Sequence, residues 1–344
     1  MRRYGNAIAA PLYFRHAASF DHDTGAHPER PERIRRIEAL LGERDWLGYD
    51  VREAPAAAEA QLEAVHPAAH VEAVRDHCEA GRPFDLDTPT SPGSWEAALR
   101  AAGAACALAD ALLAGEAPTG FCGLRPPGHH AEADRAMGFC LFSNVAVAAR
   151  HAIGSLGAKR VLVLDWDVHH GNGTHAIFHG SPEVLFASIH QWPFYPGTGA
   201  AGDVGSGAGE GFTLNLPVPA GAGEDEFLGM VEHVVCPAAR DFRPDLILIS
   251  AGFDAHRDDP LADCTLATSS FAQMAARMGT LADGLEVPVG AVLEGGYDTD
   301  ALAESVAATM NVLATGGEPR SVEPVPLVRA AAESAARWWP SVSA

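Results

Sequence analysis

The chain is poor in positive charge, in cysteine and in long apolar runs. Lys and Arg total 24 against 45 Asp and Glu in 344 residues, a formal net charge of -21. That excess disfavours a nucleic-acid partner, whose affinity comes from cationic neutralisation of phosphates. It suits either simple solubility or the attraction of cationic substrates. The six cysteines show no CxxC spacing, which argues against a disulfide framework and for a reduced, cytoplasmic setting. No apolar segment reaches the length of a bilayer span, so no membrane partner is expected. The start is basic, Met1-Arg2-Arg3, but Asn6 and Pro11 interrupt the apolar stretch after it, so a strand is expected there rather than a secretion signal. No internal repeat is evident. No Lys or Ser follows the GSGAGEG stretch at 205–211 in the manner that completes a phosphate cradle, and it is read as a flexible loop.

What the chain does have is a set of short, fully apolar runs, each leading into polar chemistry. Residues 161–164 read VLVL and run into Asp165, Asp167, His169 and His170. Such a run is expected of a strand buried on both faces of a parallel sheet. Strand ends of this kind line the ligand crevice of open α/β sheets, where a DxDxH pattern can aim a carboxylate and an imidazole at one point. Residues 245–251 form a second such strand and deliver Asp254, completing a ligand trio. Residues 287–293 form a third, ending in Glu294-Gly295-Gly296-Tyr297, which presents a phenol as a hydrogen-bond donor. A shorter strand at 120–124 leads into Arg125-Pro126-Pro127-Gly128, a stiff segment that fixes where His129 and His130 point.

Helical patterns separate these strands: Ile34, Ile37, Leu40 and Leu41 share a face, residues 95–113 run from a Ser94 cap to Gly115, residues 144–156 end at Gly157, and Phe271, Met274, Ala275 and Met278 mark another helix. Alternating strands and helices predict an α/β chain with a central, mainly parallel sheet flanked by helices. The site draws on residues from His129 to Tyr297, so a domain boundary inside that span would cut it. One domain over 1–344 is expected, with a C-terminal helical tail at about 320–344. That tail reads as a helix over 328–339 whose Trp338 and Trp339 dock on this domain or on a second subunit, giving a homo-oligomer.

In order along the chain stand HPERPERI at 27–34, RPPGHHA at 125–131, MGFCLFSN at 137–144, DWDVHHGNGT, YPGTG at 195–199, SAGFDAHRDDP and LEGGY. This set resembles the zinc-dependent histone deacetylases and their bacterial relatives, which include acetylpolyamine amidohydrolases and acetoin-utilisation proteins. The resemblance spans nearly the whole chain and implies the arginase/deacetylase fold and an amidohydrolase that removes acetyl or short acyl groups. Its substrate would be an acylated amine: a peptide lysine, a polyamine or a small metabolite. By resemblance, Asp167, His169 and Asp254 are the ligands of one Zn2+, with Fe2+ or Co2+ as the ion in vivo still open, since imidazole and carboxylate suit several divalent ions. His130 matches the general base, His129 its electrostatic partner, Asp165 the carboxylate that holds His129 charged, and Tyr297 the oxyanion donor. Asn172 stands near His130 where some members carry aspartate; an amide supplies no charge, and asparagine there resembles the class II branch.

The same resemblance makes Gly138 and Phe139 one wall of a narrow tunnel for the acyl-amine stem, with Tyr195 as the second wall and Gly296 beneath. Leu261 matches a rim position where a glutamate selects cationic chains in one polyamine-deacetylating branch, so leucine argues against that selection. Arg33 matches an arginine on the acetate exit route. Asp165, Asp167, His169, Ser188 and Ile189 match a structural K+ site built largely from backbone oxygens, and Phe178, Ser181, Val184 and Phe212 match a second.

Other histidines are read differently. His66, His70, His77, His151, His179 and His233 are expected to be hydrogen-bonded core residues rather than ligands, and His16, His22 and His27 to lie solvated in a rim loop. For the motif aspartates a merely structural role is poor, because burying Asp165, Asp167 and Asp254 together without a cation is costly. Two other functions compete with deacylation. An arginase-like ureohydrolase needs a manganese pair, but Gly171 and His256 stand where further aspartates would be and no GGDHS-like motif is present. A non-catalytic binder of acylated amines would have little reason to keep Tyr297, His129 and His130.

Overall fold

The apolar runs become the centre of one eight-stranded sheet. In the computed structural model, which describes residues 9–343, the strands are β1 (Leu12–Arg15), β2 (Asp50–Glu53), β3 (Thr119–Cys122), β4 (Val161–Asp165), β5 (Val184–Gln191), β6 (Thr213–Val218), β7 (Leu246–Ala251) and β8 (Val289–Leu293). Their order across the sheet is β2-β1-β3-β8-β7-β4-β5-β6, and every neighbouring pair is parallel. The strand expected at the chain start begins at Leu12; residues 1–8 lie outside the described residues.

Side chains of successive residues alternate between two apolar layers, as the pleat requires. Leu162, Leu164, Ile247 and Ile249 face one core with Phe253 and Phe271, whereas Val161, Val163, Leu246 and Leu248 face the other with Leu108 and Val145. Helices cover both faces: α1 (Glu32–Glu43), α2 (Ser94–Leu113), α3 (Asn144–Ser155), α4 (Asn172–Phe178), α5 (Thr268–Leu285), α6 (Thr299–Thr315) and α7 (Pro326–Ala335). The apolar stripe of α1 packs against α6, which also contacts α5, while α2 and α3 pack together on the opposite side. No helix among the described residues is long and apolar enough to cross a membrane, and all six cysteines are unpaired and buried.

Several expectations are corrected in detail. Ser94 is the first residue of α2 and not its cap; its hydroxyl instead accepts from Ser91 N at 2.8 Å and hydrogen-bonds His22 Nδ1 at 2.6 Å. His22 is therefore buried, not solvated, and burial lowers its pKa to about 4. His66 and His70 are buried and hydrogen-bonded as expected, but His77, His151, His179 and His233 are only half-buried, although each has a hydrogen-bond partner. The C-terminal helix stops at Ala335, and Trp339 docks on its own chain, with Nε1 donating to Gly211 O at 3.0 Å and the ring edge-on to Phe212 and Phe242. The glycine-rich loop is tied down rather than free: Gly209 is buried against Gly180, and Ser206 N donates to His179 O at 2.8 Å.

Candidate metal centre

The carboxyl ends of β4, β7 and β8 lie side by side, so the residues just beyond them meet. Asp165 is registered with Ser250, and Ser250 with Val292. From the β4 end come Asp167 and His169, from the β7 end Asp254, and from the β8 end Glu294 to Tyr297. Asp167, His169 and Asp254 each offer one ligand atom, all within 4.8 Å of one another, and all three are buried. His169 Nδ1 is 3.1 Å from Asp167 Oδ1 and 3.0 Å from Asp254 Oδ2. Backbone amides fix the outer oxygens: Val168 N donates to Asp254 Oδ1 at 2.8 Å and Gly295 N to Asp167 Oδ2 at 2.8 Å. Glycine is required at 295, because a Cβ there would overlap both carboxylates.

This donor set fits a divalent cation. Burial and the facing Asp167 raise the pKa of Asp254, the signature of two carboxylates crowded into a site from which water is excluded. Burial also acts to raise Asp167, but His129 and His169 outweigh it and lower it. Two carboxylates, with an imidazole that would be neutral once it ligates, would offset a dication's charge and leave positions open, as in catalytic rather than structural sites.

Beside the trio stand the paired imidazoles, with ring centroids 4.0 Å apart. His129 Nδ1 donates to Asp165 Oδ2 at 2.9 Å. Burial opposes a charge on His129, but Asp165, Asp167 and Glu294 outweigh it and hold the pKa well above its ordinary value. His130 is the opposite case. Burial and the neighbouring His129 hold it well below its ordinary value, and its Nδ1 meets the Asn172 Oδ1 at 2.8 Å. Next to each other therefore sit a cationic imidazole and a neutral one.

The aromatic walls gather at the mouth. Phe139, itself at positive φ after Gly138, meets the Tyr297 ring edge-on at 5.7 Å, and Tyr195 meets His130 edge-on at 5.1 Å while remaining 39% exposed. A side chain on Gly138 would strike the His130 ring, and its φ is +57°. His27 is half-buried with its ring edge-on to Phe139 at 4.5 Å, so it joins this wall. Phe194, which carries no motif signal in the sequence, stacks on His169 at 5.3 Å. Leu261 is half-buried, its N–H held by Asp259 Oδ1 at 2.9 Å, while Asp259 Oδ2 accepts from Tyr297 N at 2.6 Å. Arg33 is fully buried; its Nε donates to Gly296 O at 2.6 Å, NH1 to Glu29 Oε1 at 3.1 Å, and the guanidinium lies over the Tyr297 ring.

Two glutamates are functional anchors that the sequence pattern does not single out. Glu294 takes Gly128 N at 2.6 Å, His129 N at 3.1 Å and Ser250 Oγ at 2.9 Å, so it fastens the histidine-bearing segment to β7 and β8. Glu29 accepts from Arg125 at 2.6 and 2.7 Å and from Arg33 at 3.1 Å. A signal for Glu29 does exist: two buried arginines in otherwise apolar surroundings require an acidic partner. The residues matched to potassium lie on and around β4 and β5. Asp165 pairs with Ser188 across β4 and β5, with Ile189 next in β5, and Phe178, Ser181, Val184 and Phe212 surround the turn into β5.

Comparison with known proteins gives a consistent result. A histone deacetylase domain matches residues 27–313. The chain is 41% identical over 318 residues to histone deacetylase 15 of Arabidopsis thaliana, covering 90% of this chain and 56% of that protein. It is 44% identical over 280 residues to a histone deacetylase-like amidohydrolase of Pseudomonas aeruginosa, covering 79% of this chain and 72% of the relative. The chain thus spans little more than half the length of the plant protein. Among solved structures, the crystal structure of the HDA15 HD domain superposes with a TM-score of 0.90 at 38% identity, covering 97% of each chain.

Proposed function

The chain belongs to the histone deacetylase family, and we propose that it is a metal-dependent deacetylase acting on acyl-lysine or a related primary amine, folded as one catalytic domain with its C-terminal helix docked upon it. The observation that carries this reading is the convergence of Asp167, His169 and Asp254 beside a neutral His130. Those three would hold one divalent ion, zinc by preference with iron or cobalt as alternatives, and such an ion supplies an acidified water and a polarised acyl carbonyl.

The chain's own groups do the rest. Asn172 accepts at His130 Nδ1, so the Nδ1 proton is fixed and Nε2 keeps a free lone pair. His130 then takes the proton from the attacking water and returns it to the departing amine. His129, held cationic by Asp165, lowers the energy of the negative charge that develops next to it. Tyr297 donates its hydroxyl to the oxyanion. Phe139 and Tyr195 confine the aliphatic stem of the substrate between aromatic faces, with Gly138 and Gly296 giving it room. Arg33 lies behind Tyr297, on the side from which we expect acetate to leave. The two potassium sites are read as structural. The six buried thiols support a reduced cytoplasmic setting.

The test is hydrolysis of acetyl-lysine peptides by metal-replete protein, with Asp167→Ala, His130→Ala and Tyr297→Phe compared. Each should lose activity about 10²-fold or more, and undiminished turnover in all three refutes the assignment. Acetylpolyamines form a second reading, favoured by the exposed Asp85 and Asp87, whose carboxylates add to the effect of burial in raising the pKa of Tyr195 at the mouth. Leu261 opposes it. Relative rates on acetylspermidine and an acetyl-lysine peptide separate the two.

A further inference from the structure

His175 in α4 and His179, one residue past its end, are four apart and so stand on one face. Their ring centroids are 4.9 Å apart. Asp203, in the loop between β5 and β6, faces both: its Oδ1 is 2.7 Å from His179 Nε2 and its Oδ2 3.5 Å from His175 Nε2. One ligand atom from each of the three lies within 4.8 Å of the others. We propose that His175, His179 and Asp203 form a second transition-metal site, distinct from the catalytic trio and open to solvent on one side.

Three observations raise this above an ordinary ion pair. The His175 side chain is nine-tenths buried, and its Nε2 has no hydrogen-bond partner although it points at Asp203. At 3.5 Å the His175–Asp203 pair is too long for a hydrogen-bonded ion pair. In the tautomer protonated on Nδ1, the Nε2 lone pair faces the Asp203 carboxylate, and a shared cation removes that repulsion. The second imidazole is also pre-oriented. His179 Nδ1 is hydrogen-bonded to Ser206 Oγ at 3.0 Å, which turns Nε2 toward Asp203 and is the outer support usual for metal-bound histidine. Two imidazoles and one carboxylate suit Zn2+, Co2+, Ni2+ or Cu2+ rather than Mg2+ or Ca2+.

The position gives the site a consequence. It joins α4, whose first residue Asn172 orients His130, to the loop that carries Tyr195. That loop is already tied inward by Thr198 Oγ1 to His170 Nδ1 at 2.8 Å and Gly199 O to His190 Nε2 at 2.9 Å. A bound ion fastens its outer end as well, and so stiffens one wall of the tunnel from behind.

Equilibrium dialysis of tag-free, metal-stripped protein against Zn2+, with Co2+ absorption spectra as a second readout, tests this. Wild type should take up two ions per chain. Asp254→Asn should lose the catalytic ion and keep the second, whereas His179→Ala and Asp203→Asn should keep the catalytic ion, which also reports that they are folded, and lose the second. Ser206→Ala should weaken only the second ion, by about 10–100-fold. A wild-type protein that binds one ion, abolished by Asp254→Asn, overturns the proposal. So does a second ion that persists in either His179→Ala or Asp203→Asn.

Discussion

Asn172 Oδ1 lies 2.8 Å from His130 Nδ1, while the same carboxamide donates through Nδ2 to Glu132 Oε1 at 2.9 Å. The second contact fixes which end of the amide faces the imidazole, since only the NH2 end can donate to a carboxylate. His130 therefore carries its proton on Nδ1 and is oriented without being charged. Asn172→Asp replaces a neutral acceptor by an anion and should raise the His130 pKa. A base works only when deprotonated, so the acid limb of the kcat/KM profile should move to higher pH, by about one unit or more. An unshifted acid limb would mean that His130 is not the base.

Acid should weaken the fold well before any surface carboxylate matters. His22 and His66 are buried neutral, each lowered by burial from 6.5 to about 4. Between those values the unfolded chain binds a proton that the folded chain refuses, so stability falls as pH drops below about 6.5, by ~1.4 kcal/mol per pH unit for each proton withheld. Glu29 adds to the loss further down. Burial raises it, but Arg125, His22 and Arg33 outweigh that and hold it at about 2; its contribution is present above its ordinary value of 4.5 and disappears as pH falls toward 2. Urea midpoints at pH 7.5 and 5 give the check, and equal midpoints would contradict this account.

Breaking that cluster should be severe at any pH. Glu29→Gln leaves the guanidinium groups of Arg125 and Arg33 buried without their counter-charge, and loss of one partner of a buried ion pair destabilises by about 3–5 kcal/mol. Denaturant unfolding at pH 7.5 measures it. A change below about 1 kcal/mol would show that the backbone oxygens around the two arginines suffice.

The C-terminal segment offers a separate probe. Trp339 is 7% exposed, with its indole N–H donating to Gly211 O and its ring against Phe212 and Phe242. Trp339→Ala should cost roughly 3–5 kcal/mol with little change in KM, whereas Trp338→Ala, at a position 40% exposed, should cost far less. Equal effects of the two would indicate that Trp338 is covered by a second subunit, and sedimentation would then show the oligomer.

Legibility in the sequence tracks burial. β4, β7 and β8 are apolar throughout because both faces are covered, and their ends betray the trio and Tyr297. β2 and β6 escape because they are edges: β2 is mostly exposed and reads DVRE, and β6 contains Pro217, tolerated only where no inward ladder bond is needed. β5 escapes for another reason. It is fully buried but holds polar residues: Ser188 and His190 bond each other at 3.0 Å, His190 also meets Gly199 O, and Gln191 reaches Asp263 in a distant loop. Glu294 is likewise invisible as an anchor, since it holds backbone amides more than 160 residues away, and Glu29 shows only through the need of Arg33 and the distant Arg125 for an acidic partner.

Removal of the metal should expose the tension built into the trio. With the ion absent, the buried Asp167 and Asp254 carboxylates face one another with only His169 between them. A ligand that binds only the folded state stabilises by about 4 kcal/mol when its free concentration is about 1,000 times Kd, so chelation should lower the denaturant midpoint clearly. His179→Ala is the proper background, because it removes any contribution from the second site. In that background, Asp254→Asn should erase the response to chelator, and its metal-free form should be more stable than the metal-free parent, since one of two repelling charges is gone. If chelation leaves the midpoint of the parent unchanged, the three side chains do not hold an ion. If Asp254→Asn instead destabilises the metal-free protein, the bond from His169 Nδ1 to Asp254 Oδ2, which an amide NH2 cannot accept, outweighs the repulsion between the carboxylates.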